Sequence, residues 1–302
     1  MGKVYEALNR ASRGDDVFDL VDDVDDFEEE NAEGEEREEQ PEQFNFMRYS
    51  LGGSALVTRP PATGVHRPSG VRPPPAALVR AKSQPGRELT VSAERIDPHL
   101  VSFYNFDQRA SQQYNKLSMS LISRAAERGF KRVLVASAQE GEGRTCVTLN
   151  LACALARARQ RVLVVDCDLL KPSVLRALGL HAELGMKEVF EQGMTPATAT
   201  IAMRPYGFNV LPTIRPLDNP AELFAAPGFW KMLQSMDADY DFILFDSSPL
   251  MTGGDSSLLV RFADTTLLVV RAGQTSSAEM AKAIVPFAQE DILGVVINRA
   301  SV

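Results

Sequence analysis

The chain has 302 residues, 44% hydrophobic and 24% charged, with a net charge of −8; its apolar, strand-like segments all fall after about residue 100, so one domain of ~200 residues is expected. Three cysteines, Cys146, Cys153 and Cys167, are too few and too poorly spaced for a disulfide framework or a zinc site, which points to a reducing cytoplasm. No apolar run approaches the ~18–20 residues of a membrane span, and no signal-peptide pattern opens the chain.

The acidic total hides an asymmetry. Residues 15–42 carry 16 Asp/Glu against Arg37 alone, leaving 24 acidic and 31 basic residues elsewhere, a net charge of +7. Met1-Gly2 matches the start of a myristoylation signal, but Glu6 stands where Ser or Thr is required. Val4, Tyr5, Leu8 and Ala11 share one stripe, so residues 1–12 are expected to form a short amphipathic helix that docks on something else. Residues 13–97 read as a disordered segment, acidic at first and then a Pro/Arg-rich, extended linker through 58–87. In the acidic part Val17, Phe18, Leu20 and Phe27 alternate with carboxylates and could present a weak interaction segment. Contacts to nucleic-acid phosphates would have to come from the linker, and no recognition helix or aromatic stacking pattern supports them.

Residues 98–302 form the expected domain. Helical spacing through Leu100, Tyr104, Tyr114, Leu117 and Leu121 is followed by strands at 131–137, 161–167, 208–213, 241–247, 265–271 and 292–298. Helices are expected near 144–158, 173–179, 184–191, 220–236, 255–262 and 276–289. Strands separated by helices imply right-handed crossovers, hence an α/β fold with a doubly wound, mostly parallel sheet, which the glycine turn Glu140-Gly-Glu-Gly-Arg-Thr-Cys146 after the first strand makes one of the P-loop NTPase type. Ligands of such sheets collect beyond the carboxyl ends of the strands.

Three strand ends carry phosphate chemistry. After the first, Glu140-Gly-Glu-Gly-Arg-Thr-Cys146 forms a glycine turn running into a helix. Gly141 and Gly143 let backbone amides turn toward phosphates, and the helix adds its positive end. Arg144 occupies the position of the usual lysine, and Thr145 offers a hydroxyl to Mg²⁺. The second strand ends Asp166-Cys-Asp168, whose carboxylates point the same way because strand side chains alternate. The run Ile243-Leu-Phe-Asp246 places one more aspartate where a Walker B group belongs.

With Ser137-Ala-Gln-Glu-Gly-Glu-Gly-Arg-Thr145, Val165-Asp-Cys-Asp-Leu-Leu-Lys-Pro172, Asn219-Pro-Ala-Glu222, Asp241-Phe-Ile-Leu-Phe-Asp-Ser-Ser-Pro249 and Gly294-Val-Val-Ile-Asn-Arg299, residues 98–300 resemble the bacterial tyrosine kinases of capsule and exopolysaccharide assembly, relatives of the MinD/ParA ATPases. That resemblance implies ATP and Mg²⁺ as ligands. It makes Asp166 the base for the tyrosine proton, gives Asp168 and Asp246 to hydrated Mg²⁺, and sets Asn298 and Arg299 near the adenine. It also implies a membrane polysaccharide co-polymerase as partner, and residues 1–12 are the candidate contact for its cytoplasmic segment.

The departures from the family pattern bear on activity. Arg144 keeps the charge of the loop lysine but not its geometry, and phosphoryl transfer depends on placement, where ~1 Å can cost ~100-fold. Leu170 stands where the family's DxDxR arginine belongs, with Lys171 next to it, and Ser248 replaces a proline. The ring-forming ExxRxxR pattern reads Gln112, Asn115 and Ser118, so the familiar ring interface is not expected. The sequence to Val302 carries no tyrosine cluster, and its six tyrosines are scattered, with Tyr104, Tyr114 and Tyr240 expected in packing roles. The expected function is an ATP-binding regulator of polysaccharide synthesis or export with reduced or lost kinase activity. An active tyrosine autokinase is the alternative. A MinD/ParA-type positioning ATPase is a third reading, disfavoured by Gln139 in place of the signature lysine.

Overall fold

A computed structural model of the chain describes residues 17–20, 86–91, 93–104, 109–252, 256–285, 287 and 292–299. The expected helix at 1–12, and nearly all of the acidic segment and the Pro/Arg linker, lie outside these residues. The described residues form nine strands: β1 Val17–Leu20, β2 Arg87–Thr90, β3 Arg132–Ser137, β4 Val162–Cys167, β5 Ile201–Arg204, β6 Asn209–Leu211, β7 Phe242–Ser247, β8 Thr265–Arg271 and β9 Ile292–Asn298. They make one sheet in the order β1-β9-β8-β3-β7-β4-β6-β5-β2. Every pairing is parallel except β5 with β6.

The central strands β3, β4 and β7 are buried along their whole length. Because side chains alternate, each strand feeds two cores. Val133, Val135, Val164 and Leu244 pack on one face with Val147, Leu151 and Leu155, which recur every fourth residue along the helix Arg144–Arg157. Leu134, Leu163, Val165 and Phe245 pack on the other face with Phe229, Leu233 and Met236 of the helix Pro227–Met236. Each such side chain stabilises the fold by ~1.5–3 kcal/mol on burial. Helices on both faces make this the doubly wound sheet expected from the sequence. From β3 the chain crosses to β4 on one side, and from β7 it returns to β8 on the other, so the crevice opens at the carboxyl end of β3.

Three strands exceed the expectation. β1 and β2 come from residues assigned to the segment before position 98, and β5 precedes β6 in a stretch with no predicted element. The folded unit therefore begins ahead of residue 98. The single helix expected over 220–236 is two, Pro220–Ala225 and Pro227–Met236, because Pro227 forces Ala226 into an extended conformation at ψ 130°. Tyr114 and Tyr240 are buried as expected, whereas Tyr104 is 43% exposed and only its hydroxyl is tied, donating to the Ile96 carbonyl.

On the helix Arg109–Arg128, Gln112 is exposed and Ser118 is buried, its hydroxyl donating to the Asn115 carbonyl. An inward-facing serine could not be replaced by an interface arginine without remodelling the packing. Among the described residues no helix is long and apolar enough to cross a membrane.

Candidate functional site

The turn between β3 and the helix Arg144–Arg157 is held open by its own side chains. Gly141 and Gly143 have φ of 83° and 92°, a region that L side chains rarely enter. A Cβ at Gly143 would also fall 2.1 Å from the Asn298 amide nitrogen. That Asn298 amide donates to the Glu142 carbonyl at 2.9 Å, fastening the end of β9 to the loop. Glu142 is buried, and its carboxylate accepts the Gln139 N–H at 2.7 Å and the Thr275 hydroxyl. Its side chain thus braces the loop from within and leaves the loop's face to backbone groups. Arg299 is exposed beside Asn298, and Cys146 is partly buried in the helix's first turn.

Arg144 is buried and its fork is engaged. Nε donates to the Ser247 carbonyl at 2.9 Å, and Nη1 donates to the Gln139 carbonyl at 2.9 Å and to the Ser137 hydroxyl. Nη2 lies 3.8 Å from Asp168. The guanidinium therefore bolts the loop to the ends of β3 and β7. A lysine, with one nitrogen, could not make these contacts together.

The three aspartates gather at adjacent strand ends, Asp166 lying in register with Asp246. Asp246 is fully buried and accepts from the Thr145 hydroxyl at 2.7 Å and the Thr148 hydroxyl at 3.2 Å. Burial pushes its pKa up to about 6, against the pull of Arg144 and Thr145. Asp166 is also fully buried and accepts the Asp168 and Val174 N–H groups at 3.3 and 3.2 Å. Burial first, and then the Asp246 charge, hold its pKa well above the usual carboxylate range. Asp168 accepts the Lys171 N–H at 3.0 Å, and burial raises its pKa while that bond and Arg144 oppose the rise.

Among the described residues no group of three His, Cys, Asp or Glu is arranged to hold a metal ion. Asp166 accepts two backbone amides, and Asp168 accepts from its own loop with Arg144 nearby. The Thr145–Asp246 pair remains, and a hydroxyl beside one carboxylate suits Mg²⁺, which keeps several waters. Thr148 and Ser173, whose hydroxyl sits 2.7 Å from that of Thr145, complete this polar corner. Sequence reasoning missed both. Thr148 lies three residues after Thr145, one helical turn on, and that spacing was the available signal.

Comparison with known proteins agrees with this fold. A family model for ParA, described as NUBPL iron-transfer P-loop NTPase, matches residues 130–302. The chain is 30% identical over 206 residues to tyrosine-protein kinase YwqD of Bacillus subtilis, covering 68% of this chain and 87% of that one. It is 28% identical over 158 residues to tyrosine-protein kinase Wzc of Salmonella typhimurium, covering 52% of this chain and 22% of that one. The kinase domain of Escherichia coli tyrosine kinase ETK superposes with a TM-score of 0.63 at 22% identity, over 73% of this chain and 93% of that one. The chimerical protein CapA2B2 superposes equally well, with a TM-score of 0.63 over 74% and 96%. The chain belongs to the ParA-type P-loop NTPases and, within them, to the bacterial tyrosine-kinase family.

Proposed function

We propose that the protein binds ATP with Mg²⁺ at the 140–146 loop and regulates capsule or exopolysaccharide synthesis or export, with its kinase activity reduced or lost. The observation that carries this reading is Arg144, whose guanidinium is committed to Ser247, Ser137 and Gln139 beneath the loop. Loop amides from Glu140 to Cys146 and the start of the following helix would cradle the phosphates. Thr145 and Asp246 would hold hydrated Mg²⁺, with Asp168 at the edge of its shell. When bound, that ion would neutralise charge on the phosphates. Asn298, fastened to the loop, and the exposed Arg299 would meet the base.

Asp166 is the family's candidate for taking an acceptor proton, and its raised pKa suits proton exchange. In this structure it has no solvent access, so the loop 168–173 must open before a tyrosine hydroxyl can reach it. Such opening, coupled to the terminal phosphate, is the nucleotide switch in this reading. The output would pass to the cytoplasmic segment of a membrane polysaccharide co-polymerase, with residues 1–12 as the contact and the inner membrane face as the place of action.

Incubation of wild type and Arg144→Lys with ATP and Mg²⁺, followed by phosphotyrosine detection, tests the reading. It expects the lysine variant to exceed the wild type. Robust wild-type labelling that Asp166→Asn abolishes would instead establish the active autokinase.

A further inference from the structure

Resting on the nucleotide-binding reading, we infer that Lys171 supplies the cation that meets the terminal phosphate, a role left open by the withdrawn Arg144, and that Glu140 holds it ready. In a P-loop the β and γ phosphates are met by a protein cation, ordinarily the loop lysine. Arg144 Nε and Nη1 are engaged by Ser247, Ser137 and Gln139, Nη2 lies 3.8 Å from Asp168, and the group is buried. Lys171 has the opposite character. Its backbone is pinned, its N–H donating to Asp168 at 3.0 Å, and the same loop is tied again where Val174 N–H meets Asp166. Its side chain is 69% exposed, and its ammonium spans to Glu140, at 2.9 and 2.6 Å from the two carboxylate oxygens.

Glu140 immediately precedes Gly141, so this pair bridges the loop after β4 to the lip of the glycine turn. An exposed ion pair adds little to folding, and its value here is positional. A phosphate oxygen arriving at the lip presents the same chemistry as the carboxylate, and the ammonium can exchange one anion for the other.

The test is an equilibrium titration of the full chain, with Mg²⁺ present, against a non-hydrolysable ATP analogue and against ADP. Wild type is compared with Lys171→Gln, Lys171→Arg and Glu140→Gln, each checked for an unchanged circular dichroism spectrum. Lys171→Gln is expected to weaken the analogue ~10- to ~100-fold while changing ADP by less than ~3-fold, as loss of one charged hydrogen bond requires. Lys171→Arg should restore most of the analogue's affinity, and Glu140→Gln should tighten it by freeing the ammonium. Equal loss for both nucleotides, no loss for either, or weaker analogue binding in Glu140→Gln would overturn the inference. If the wild type binds neither nucleotide, the nucleotide-binding reading itself fails and the inference falls with it.

Discussion

At position 144 a guanidinium replaces the compact ammonium expected in this loop, and its geometry decides what the replacement does. A planar fork can satisfy Ser247, Ser137 and Gln139 at once, so the side chain becomes a strut. Arg144→Lys should lose at least one charged hydrogen bond and destabilise the protein by ~1.5–3 kcal/mol, read as a lower midpoint in urea. An unchanged midpoint would show that the strut contributes nothing.

Asp246 gives a second residue-scale prediction. Its folded pKa, about 6, lies above the unfolded value, so the folded state takes up its proton more readily. The stability it contributes is fully present below about pH 4 and is lost as pH rises through about 6. Metal-free protein should therefore lose stability across that window, and Asp246→Asn should flatten the slope. A slope that survives the substitution would assign it elsewhere, Asp166 being the next candidate.

Among the elements, what could be read from sequence follows from how many neighbours each segment has. Val133–Val135 and Val162–Val165 are buried on both faces, so their composition alone announces strands, and the glycine turn and Asp246 follow from their ends. β1, β2 and β5 are four residues each and lie at or near the sheet's edges; Arg87-Glu-Leu-Thr90 has one apolar residue, and no composition rule separates it from a linker. The same limit applies to the site. Thr145, Asp166, Asp168 and Asp246 are legible because each ends or follows a strand, whereas Ser247 serves through its carbonyl and Ser173 through a tertiary contact that no spacing encodes. Gly143 joins element to site, since its left-handed φ and its contact with Asn298 both exclude a side chain. Gly143→Ala should cost ~1–2 kcal/mol from the backbone alone and more from the collision, with loss of nucleotide binding in an equilibrium titration. Retained affinity would mean that the loop tolerates a different path. In the core, Leu151→Ala should cost ~2–5 kcal/mol in denaturant unfolding, because the residue is fully buried between helix and sheet.

For the whole molecule, the sheet gathers the loop after β3, the carboxylates of β4 and β7 and the end of β9 at one edge of the crevice, although these residues are up to 160 positions apart by rough count. Three of the groups there, Asp166, Asp168 and Asp246, are carboxylates raised by burial, a cluster that an incoming cation and its nucleotide would relieve. Ligand binding should therefore tighten the unit as well as fill it. The most direct measurement is thermal unfolding of the full chain with and without Mg²⁺ and ATP. At a free concentration of about 100 times the dissociation constant the ligand contributes ~2.7 kcal/mol, which predicts a rise of ~5–10 °C for a domain of this size. A melting temperature unmoved by millimolar ATP and Mg²⁺ would contradict the account at its base.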